Sequence, residues 1–222
     1  MTVPMEDQAV PPVEYRHAAQ GDLIAAAEVF LSAFPQSVQH YVGHEIGPAV
    51  VADVLAIALD CEPGGFFVAV LNGRVSGYIF APADFPGLAR TAVRHWHLAR
   101  MFARWSSGRY GIGLRPVRLA VWNWLHLWRD SRDPTLRSDA RILSVAVAPD
   151  AQGRGIGSEL FRLGLEYLES RGAALVRLEV RPDNPAAIHV YEKHGFKVKG
   201  RTNDTQGEWL IMVRVHQSGR RA

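Results

Sequence analysis

The alternation of apolar and polar positions is clearest in the second half of the chain. An apolar run over Ile142–Val147 has the length of a buried strand and ends at Pro149 and Asp150. A helical period follows and continues to about Ser170. Its apolar positions are Ile156, Leu160, Leu163, Gly164, Tyr167 and Leu168. Over Ala174–Val180 the pattern changes to strict alternation, which predicts a half-buried strand.

A short helix and two strands are predicted after this point. Asn184 can cap the helix, Pro185 suits its first position, and Gly195 can close it in the left-handed conformation. Two β-like stretches, near Lys197–Arg201 and Glu208–Val215, complete the pattern.

The N-terminal half predicts further strands and helices. Phe66–Leu71 and Val75–Phe80 flank Asn72-Gly73, a strong signal for a two-residue hairpin. Upstream, the pattern indicates a strand, a helix and a second helix over Val13–His17, Gly21–Ala33 and Val50–Ala58. Together these elements predict one mixed α/β domain over residues 1–222.

Three glycines stand where the strand ending at Val147 meets the next helix. Gly153, Gly155 and Gly157 would let an anion approach backbone amides that have no helical partner, and Arg154 could add a charged contact. The spacing does not match the dinucleotide fingerprint or the phosphate-binding loop with its Gly-Lys-Ser/Thr. A tight turn without a ligand remains the alternative.

The combination of motifs is more specific than the turn. Gln152-x-x-Gly155-x-Gly157, then Asn184, then Tyr191-x-x-x-Gly195-Phe196 resembles the GCN5-related N-acetyltransferase (GNAT) family over about residues 142–215. The resemblance implies an α+β acyl-CoA N-acyltransferase fold, with a central, twisted, mostly antiparallel sheet flanked by helices. It also implies acetyl-CoA as the acyl donor, with no metal.

The resemblance also implies roles for particular residues. In the family, the strand before the glycine turn splays from its neighbour, and the acyl-pantetheine arm lies in the gap. Asn184 would bind that arm, and Tyr191 would lie near the sulfur. The strand and turn would contribute further cofactor-binding residues, namely Val145, Ala146, Val147, Gln152, Gly153, Arg154, Gly155, Ile156, Gly157 and Ser158.

Acyl transfer from a thioester to an amine requires a proton donor for the departing thiolate. A phenol, with a pKa of about 10, can supply that proton, so Tyr191 is the candidate general acid. A core tyrosine with a satisfied hydroxyl is the structural alternative. The general base stays open among a water chain and the side chains Glu179, Ser144, Asp139 and Asp84.

Residues 83–138 depart from the family pattern, in which a short connection joins the third and fourth strands. This insert holds ten Arg, three Asp and five of the six Trp, so its formal charge is +7 while the rest of the chain carries −4. The pattern predicts two helices in it, over Leu88–Trp105 and from Pro116 to about Arg129.

The charge and aromatic content of the insert are compatible with several kinds of partner. It could wall an acceptor pocket that favours an anionic amine, form a homodimer surface, or lie on an anionic membrane surface. No nucleic-acid motif accompanies its arginines, so no nucleic-acid partner is expected. Upstream, His40, His44 and Glu45 could contact the acceptor or be solvated.

The cysteine count and the lengths of the apolar runs narrow the class of protein. Cys61 is the only cysteine, which excludes an internal disulfide and favours a small apolar role. No apolar run spans a membrane, no metal-ligand spacing is apparent, and the N-terminus does not resemble a signal peptide, so a cytoplasmic protein is expected. The sequence therefore favours an acetyl-CoA-dependent N-acetyltransferase of unknown amine acceptor. A longer-chain or membrane-surface acyltransferase and a non-catalytic CoA-binding module remain as alternatives.

Overall fold

The structure, a computed structural model, describes residues 12–113 and 138–216. In chain order its strands and helices are β1 Glu14–His17, α1 Leu23–Ala33, α2 Pro35–Tyr41, α3 Ala49–Cys61, β2 Phe66–Leu71, β3 Arg74–Phe80, α4 Gly87–Arg94, α5 His97–Ser106, β4 Ser144–Val147, α6 Ile156–Ser170, β5 Leu175–Val180, α7 Pro185–Lys193, β6 Lys197–Asp204 and β7 Gly207–Val215. These bounds confirm the predicted elements outside the insert to within a few residues.

Two antiparallel sheets form the centre of the fold. One has the strand order β1-β2-β3-β4, and the other has the order β5-β7-β6. A single parallel bridge between Arg141 and Arg177 joins them within the described ranges. The predicted mixed α/β fold with a mostly antiparallel sheet is therefore confirmed.

The hairpin between β2 and β3 forms as predicted. Asn72 has φ 52° and Gly73 has φ 73°. A type I′ turn requires positive φ at both central residues, and Asn-Gly is the pair that accepts this most readily.

Strand β3 lies in the middle of the core, and it is buried on both faces from Val75 to Phe80. Helix α6 approaches one face very closely, since a Cβ atom at Gly164 would lie 2.7 Å from Cδ1 of Ile79. On the other side, Phe66, Tyr78 and Phe80 form a cluster of aromatic rings 5.6–5.9 Å apart. The core thus fixes β4, which pairs with β3, relative to α6.

The insert begins differently from the prediction. A single helix over Leu88–Trp105 is wrong, because α4 ends at Arg94 and α5 starts at His97. Trp96, with φ 58°, lies between them in the left-handed region, which ends the ladder of i to i−4 hydrogen bonds. The predicted helix from Pro116 to about Arg129 lies outside the described residues.

The apolar side chains of this segment lie in different environments. Leu88 and Ala92 pack inward, whereas Trp96 is 73% exposed and Phe102 is 64% exposed among the described residues. Polar contacts attach α5 instead, because the Arg104 guanidinium and the Tyr110 hydroxyl both donate to the carboxylate of Asp53 on α3. No helix in the described ranges is both long and apolar enough to cross a membrane.

Candidate active site

A gap opens between β4 and β5. The two segments are joined near Arg177, whose carbonyl accepts from the amide of Ile142 at 3.0 Å and whose amide donates to the carbonyl of Ala140 at 3.1 Å. Beyond that point no backbone hydrogen bond connects β4 to β5 in the described part of the chain. The strand before the glycine turn therefore separates from its neighbour.

The register of β4 determines which of its backbone groups face the gap. The amide of Ala148 donates to Ser76 at 2.8 Å, and the pairs Val147–Gly77 and Ala146–Tyr78 follow. Antiparallel pairs alternate between hydrogen-bonded and non-bonded, so the backbone groups of Ala146 point to β3. Those of Val147, and of Val145 two residues earlier, point away from β3 into the gap.

Strand β5 contributes to the gap in the same way. Both backbone groups of Arg177 form hydrogen bonds with residues 140–142. Because a strand repeats every two residues, the backbone groups of Glu179 point to the same side. Since the connection has ended there, the backbone groups of Glu179 also point into the gap. Unpaired donors and acceptors on both strands suit a ligand that carries amide groups.

The glycine-rich turn lies at one end of this gap. Gly153 has φ 75° and Gly155 has φ 77°, and a Cβ atom at either position would meet open space. Within the described ranges, no backbone carbonyl accepts from the amides of Gly153, Arg154 or Gly155. Together with the first amides of α6, they form a set of unpaired donors at the positive end of the helix dipole.

Neighbouring side chains hold this turn in place. Ile156 is 1% exposed and anchors the start of α6 in the core. The side chain of Gln152 donates to the carbonyl of Val147 at 3.1 Å. Arg154 and Ser158 are exposed, and a Cβ atom at Gly157 would lie 3.5 Å from Cγ2 of Val147. The turn is therefore fixed while its amides stay accessible.

Asn184 caps α7 as its position predicted. Its Oδ1 accepts from the amide of Ala187 at 3.1 Å. The side-chain amide nitrogen makes no hydrogen bond to another described residue, and Asn184 is exposed. The residue can thus cap the helix and donate to a ligand at once. Gly195, with φ 82°, follows the helix in the expected left-handed conformation.

Tyr191 lies on α7 in an aromatic environment. Its ring is 4.8 Å from that of Phe161 and 6.4 Å from that of Phe196. Burial raises the pKa of Tyr191 to about 12. Its hydroxyl donates to no described residue. The phenol of Tyr191 therefore stays protonated through the physiological pH range, and no acceptor among the described residues competes for its proton.

The four candidate bases have other contacts. Glu179 accepts from Nε of Arg177 at 2.7 Å and lies 3.6 Å from Arg141. Ser144 and Tyr78 share a hydrogen bond of 2.8 Å. Asp84 pairs with Arg90.

Asp139, the fourth candidate, makes no side-chain hydrogen bond to a described residue, although its carbonyl accepts from the amide of Phe85 at 2.9 Å. The geometry assigns no base, and Glu179 serves as a counter-ion to two arginines.

The turn between β6 and β7 contacts α2. His40 Nε2 is 3.0 Å from Oγ1 of Thr205, and the Tyr41 hydroxyl donates to Asp204 at 3.1 Å. Arg181, just after β5, donates to the carbonyl of Gln206 at 3.0 Å. Neither Tyr41 nor Arg181 is predictable from the sequence as part of this turn, because contacts between distant segments leave no local pattern.

The other two residues considered upstream lie apart from this turn. His44 Nε2 is 3.1 Å from the carbonyl oxygen of Gly111, so it contacts the insert. Glu45 makes no side-chain hydrogen bond or ion pair with a described residue.

Comparison with known proteins agrees with this geometry. Residues 125–196 match the model of the acetyltransferase (GNAT) family. A mycothiol acetyltransferase of Corynebacterium kroppenstedtii is 40% identical over 80 residues, which are 36% of this chain. The chain spans only 22% of the length of that relative.

Two solved structures share the fold over nearly the whole chain. SsHAT has a TM-score of 0.66 and is 23% identical, with 92% of this chain and 98% of that one covered. The protein yncA of Salmonella typhimurium, solved with its cofactor acetyl-CoA, has a TM-score of 0.55 at 17% identity, covering 95% and 99%. Residues 125–196 are thus similar to the GNAT family of acetyltransferases, and the chain shares its fold with these two solved proteins.

Proposed function

We propose that this protein transfers an acetyl group from acetyl-CoA to a primary amine, by direct attack of the amine within a ternary complex. The observation that carries the proposal is the open gap between β4 and β5, with the glycine-rich turn at its end. The family match over residues 125–196 and the relative named as an acetyltransferase support the same activity.

Donor binding follows from which groups are unpaired. The gap-facing backbone groups of Val145 and the amide of Val147 can bond the amides of the pantetheine arm, whereas the carbonyl of Val147 already accepts from Gln152. The amides from Gly153 to Ser158 can bind the pyrophosphate, and Arg154 adds a charge-assisted contact. Asn184 donates through its free amide nitrogen. Ala146 supports this binding only indirectly, because its backbone pairs with β3.

The reaction forms one C–N bond and breaks one C–S bond. The amine nitrogen attacks the thioester carbonyl, and the resulting oxyanion accepts a hydrogen bond from the amide of Val145. The carbonyl then reforms, and the departing thiolate takes the proton of Tyr191. The amine proton leaves to solvent, directly or through a water chain, and a proton from solvent restores the Tyr191 hydroxyl.

Charged side chains lie together along β5 and just beyond it. Arg177 and Arg181 alternate with Glu179 along β5 and share a face, since side chains two residues apart point the same way. Arg141 adds a further guanidinium beside Glu179. Arg141 and Arg177 are buried, so the partly exposed Arg181 is the guanidinium of this group that can contact a negative group on the amine acceptor.

One observation supports a second candidate function. Trp96 and Phe102 are exposed apolar side chains on the insert, and such a surface suits a longer acyl chain or a membrane surface. In that case the donor would be a longer acyl-CoA.

Calorimetric titration with acetyl-CoA and longer acyl-CoAs, followed by a screen of amines for CoA release, tests both candidates. Binding of acetyl-CoA with no gain for longer chains supports the main proposal. A clear preference for a longer chain favours the second candidate. Binding without turnover for any amine would favour a CoA-binding module without catalysis.

A further inference from the structure

Three metal-ligating side chains meet where the insert contacts α3. One ligand atom each from Asp60, His95 and His97 lies within 4.8 Å of the others. Oδ2 of Asp60 is 2.8 Å from Nε2 of His97 and 4.0 Å from Nδ1 of His95. We propose that Asp60, His95 and His97 form a binding site for a divalent transition-metal ion of the zinc type. This site is on α3 and the insert, apart from the residues assigned to acetyl transfer.

The ligand set fits such an ion. Zinc binds imidazole nitrogen and carboxylate oxygen, and sites with three protein ligands leave a fourth position for water or another ligand. Asp60 and His95 also line an open cavity of about 700 Å³. An ion can therefore enter from solvent and keep one of its waters.

The backbone between the two histidines is arranged to bring them together. In a continuous helix, residues i and i+2 point to different sides and do not face each other. Trp96, with φ 58°, interrupts the helix, and the rings of His95 and His97 become nearly parallel, with centroids 6.2 Å apart. A large side chain in the left-handed region is strained, and strain of this kind concentrates at functional sites. Since Trp96 is 73% exposed, packing of its own ring does not explain the conformation.

One ligand is fixed and two are accessible. His97 is 1% exposed, so the core holds its ring in place. Asp60 and His95 are exposed and can adjust their distances to an ion. Sequence spacing indicated no metal site, because Asp60 comes from α3 and is far from the histidines along the chain.

Arg100 opposes the ion in the present arrangement. Its guanidinium donates to Nδ1 of His97 at 2.6 Å, which places the ring proton on Nε2, where it bonds Asp60. A metal needs the lone pair of Nε2, so this proton moves to Nδ1 and Arg100 must turn away. Arg100 is exposed on α5 and can do so. Removing Arg100 should therefore tighten metal binding.

The test uses the full, untagged chain after dialysis against a chelator. Co²⁺ is titrated in while its visible absorption is followed, and Zn²⁺ is then added as a competitor. We expect one equivalent of Co²⁺ to bind with the strong visible bands of a low-coordinate nitrogen and oxygen site, and Zn²⁺ to abolish them. His95→Ala should weaken binding by at least about tenfold. Arg100→Ala should strengthen it.

His189→Ala is the matched control, because His189 is an exposed histidine on α7, outside the site. Asp60→Asn provides a second loss-of-ligand variant that leaves the buried His97 itself in place, and circular dichroism checks that each variant is folded. Absence of Co²⁺ binding by the parent chain would overturn the proposal. Equal binding by the parent, His95→Ala and Asp60→Asn would overturn it as well.

Discussion

The side chain of Gln152 donates a hydrogen bond of 3.1 Å to the carbonyl oxygen of Val147. This carbonyl faces the gap between β4 and β5, so the bond connects the glycine-rich turn to the strand edge proposed to hold the pantetheine arm. Gln152 thus positions the turn from outside the helix. The bond therefore links the proposed pyrophosphate site to the edge of β4 in the absence of a ligand.

Replacing Gln152 by alanine should loosen that link. One neutral hydrogen bond contributes about 0.5–1.5 kcal/mol, so we expect acetyl-CoA to bind about 2- to 10-fold more weakly to Gln152→Ala. Thermal stability should stay nearly unchanged, because Gln152 is exposed. Calorimetric titration measures the affinity.

Gln39→Ala provides the comparison. Gln39 is also exposed and donates to a backbone carbonyl, that of Gly43, at 3.4 Å. Its removal should leave acetyl-CoA affinity intact. An equal loss in both variants, or none in Gln152→Ala, would contradict the positioning role.

A bulky residue at Gly155 should block the proposed pyrophosphate site. Gly155 has φ 77°, and its amide is one of the unpaired donors. In Gly155→Val, the left-handed conformation costs about 1–2 kcal/mol and the side chain occupies the space a phosphate needs. We expect acetyl-CoA affinity to fall by at least about tenfold, corresponding to about 1.4 kcal/mol.

Gly172→Val separates strain from blockage. Gly172 lies just beyond the other end of α6, has φ 78° and also faces open space. Both variants should lose similar stability in denaturant unfolding, while only Gly155→Val loses affinity. If Gly155→Val bound acetyl-CoA as well as Gly172→Val does, the placement of the pyrophosphate would be wrong.

Local signals explain which features the sequence made predictable. Asn72-Gly73, Asn184 and Gly195 each satisfy a backbone requirement that only a few residue types meet, so their roles appear in the sequence itself. The gap between β4 and β5 depends on how far two distant strands stay paired. The resemblance to a family implied it, but no pattern within either strand encodes it.

The insert shows where periodicity misleads. Apolar residues continue at helical spacing across Trp96, with no glycine or proline to mark the break, so one helix was predicted in place of α4 and α5. The left-handed turn at Trp96 brings His95 and His97 close to Asp60 on α3. This is a tertiary contact, which spacing along the sequence does not reveal. The contact between Tyr41 and Asp204 was unpredictable for the same reason.

Tyr191→Phe should reduce turnover strongly and leave donor binding intact. The change removes only the hydroxyl, and loss of a positioned acid typically costs about 10²- to 10⁴-fold in rate. Acetyl-CoA affinity should be unchanged, since the proposed binding groups remain. Steady-state kinetics with an amine found by screening, together with calorimetry, separates the two effects.

Tyr15→Phe, on β1, is the matched control and should keep the parent rate. A Tyr191→Phe enzyme with parent-like turnover would show that the thiolate obtains its proton elsewhere.

The ionisation of Tyr191 can be measured directly. Burial raises its pKa to about 12 from the ordinary value near 10. The folded state thus favours the neutral hydroxyl of Tyr191. Its contribution to the free energy of unfolding is fully present below pH 10 and is lost as the pH rises through 12. The difference in tyrosinate absorbance between parent and Tyr191→Phe should therefore appear only near pH 12. A difference that titrates near pH 10 would mean that the ring is solvated.

Asp53 anchors the start of the insert, because both Arg104 and Tyr110 donate to its carboxylate. Asp53→Ala leaves these two donors without their partner, and Tyr110 is 8% exposed. We expect a loss of about 1–3 kcal/mol in stability and faster amide exchange across residues 97–113. Asp150→Ala, which breaks the exposed pair with Arg74, should cost less than about 1 kcal/mol and leave that exchange unchanged. Exchange that is equally slow in both variants would mean that apolar packing, rather than the Asp53 contacts, holds α5 against α3.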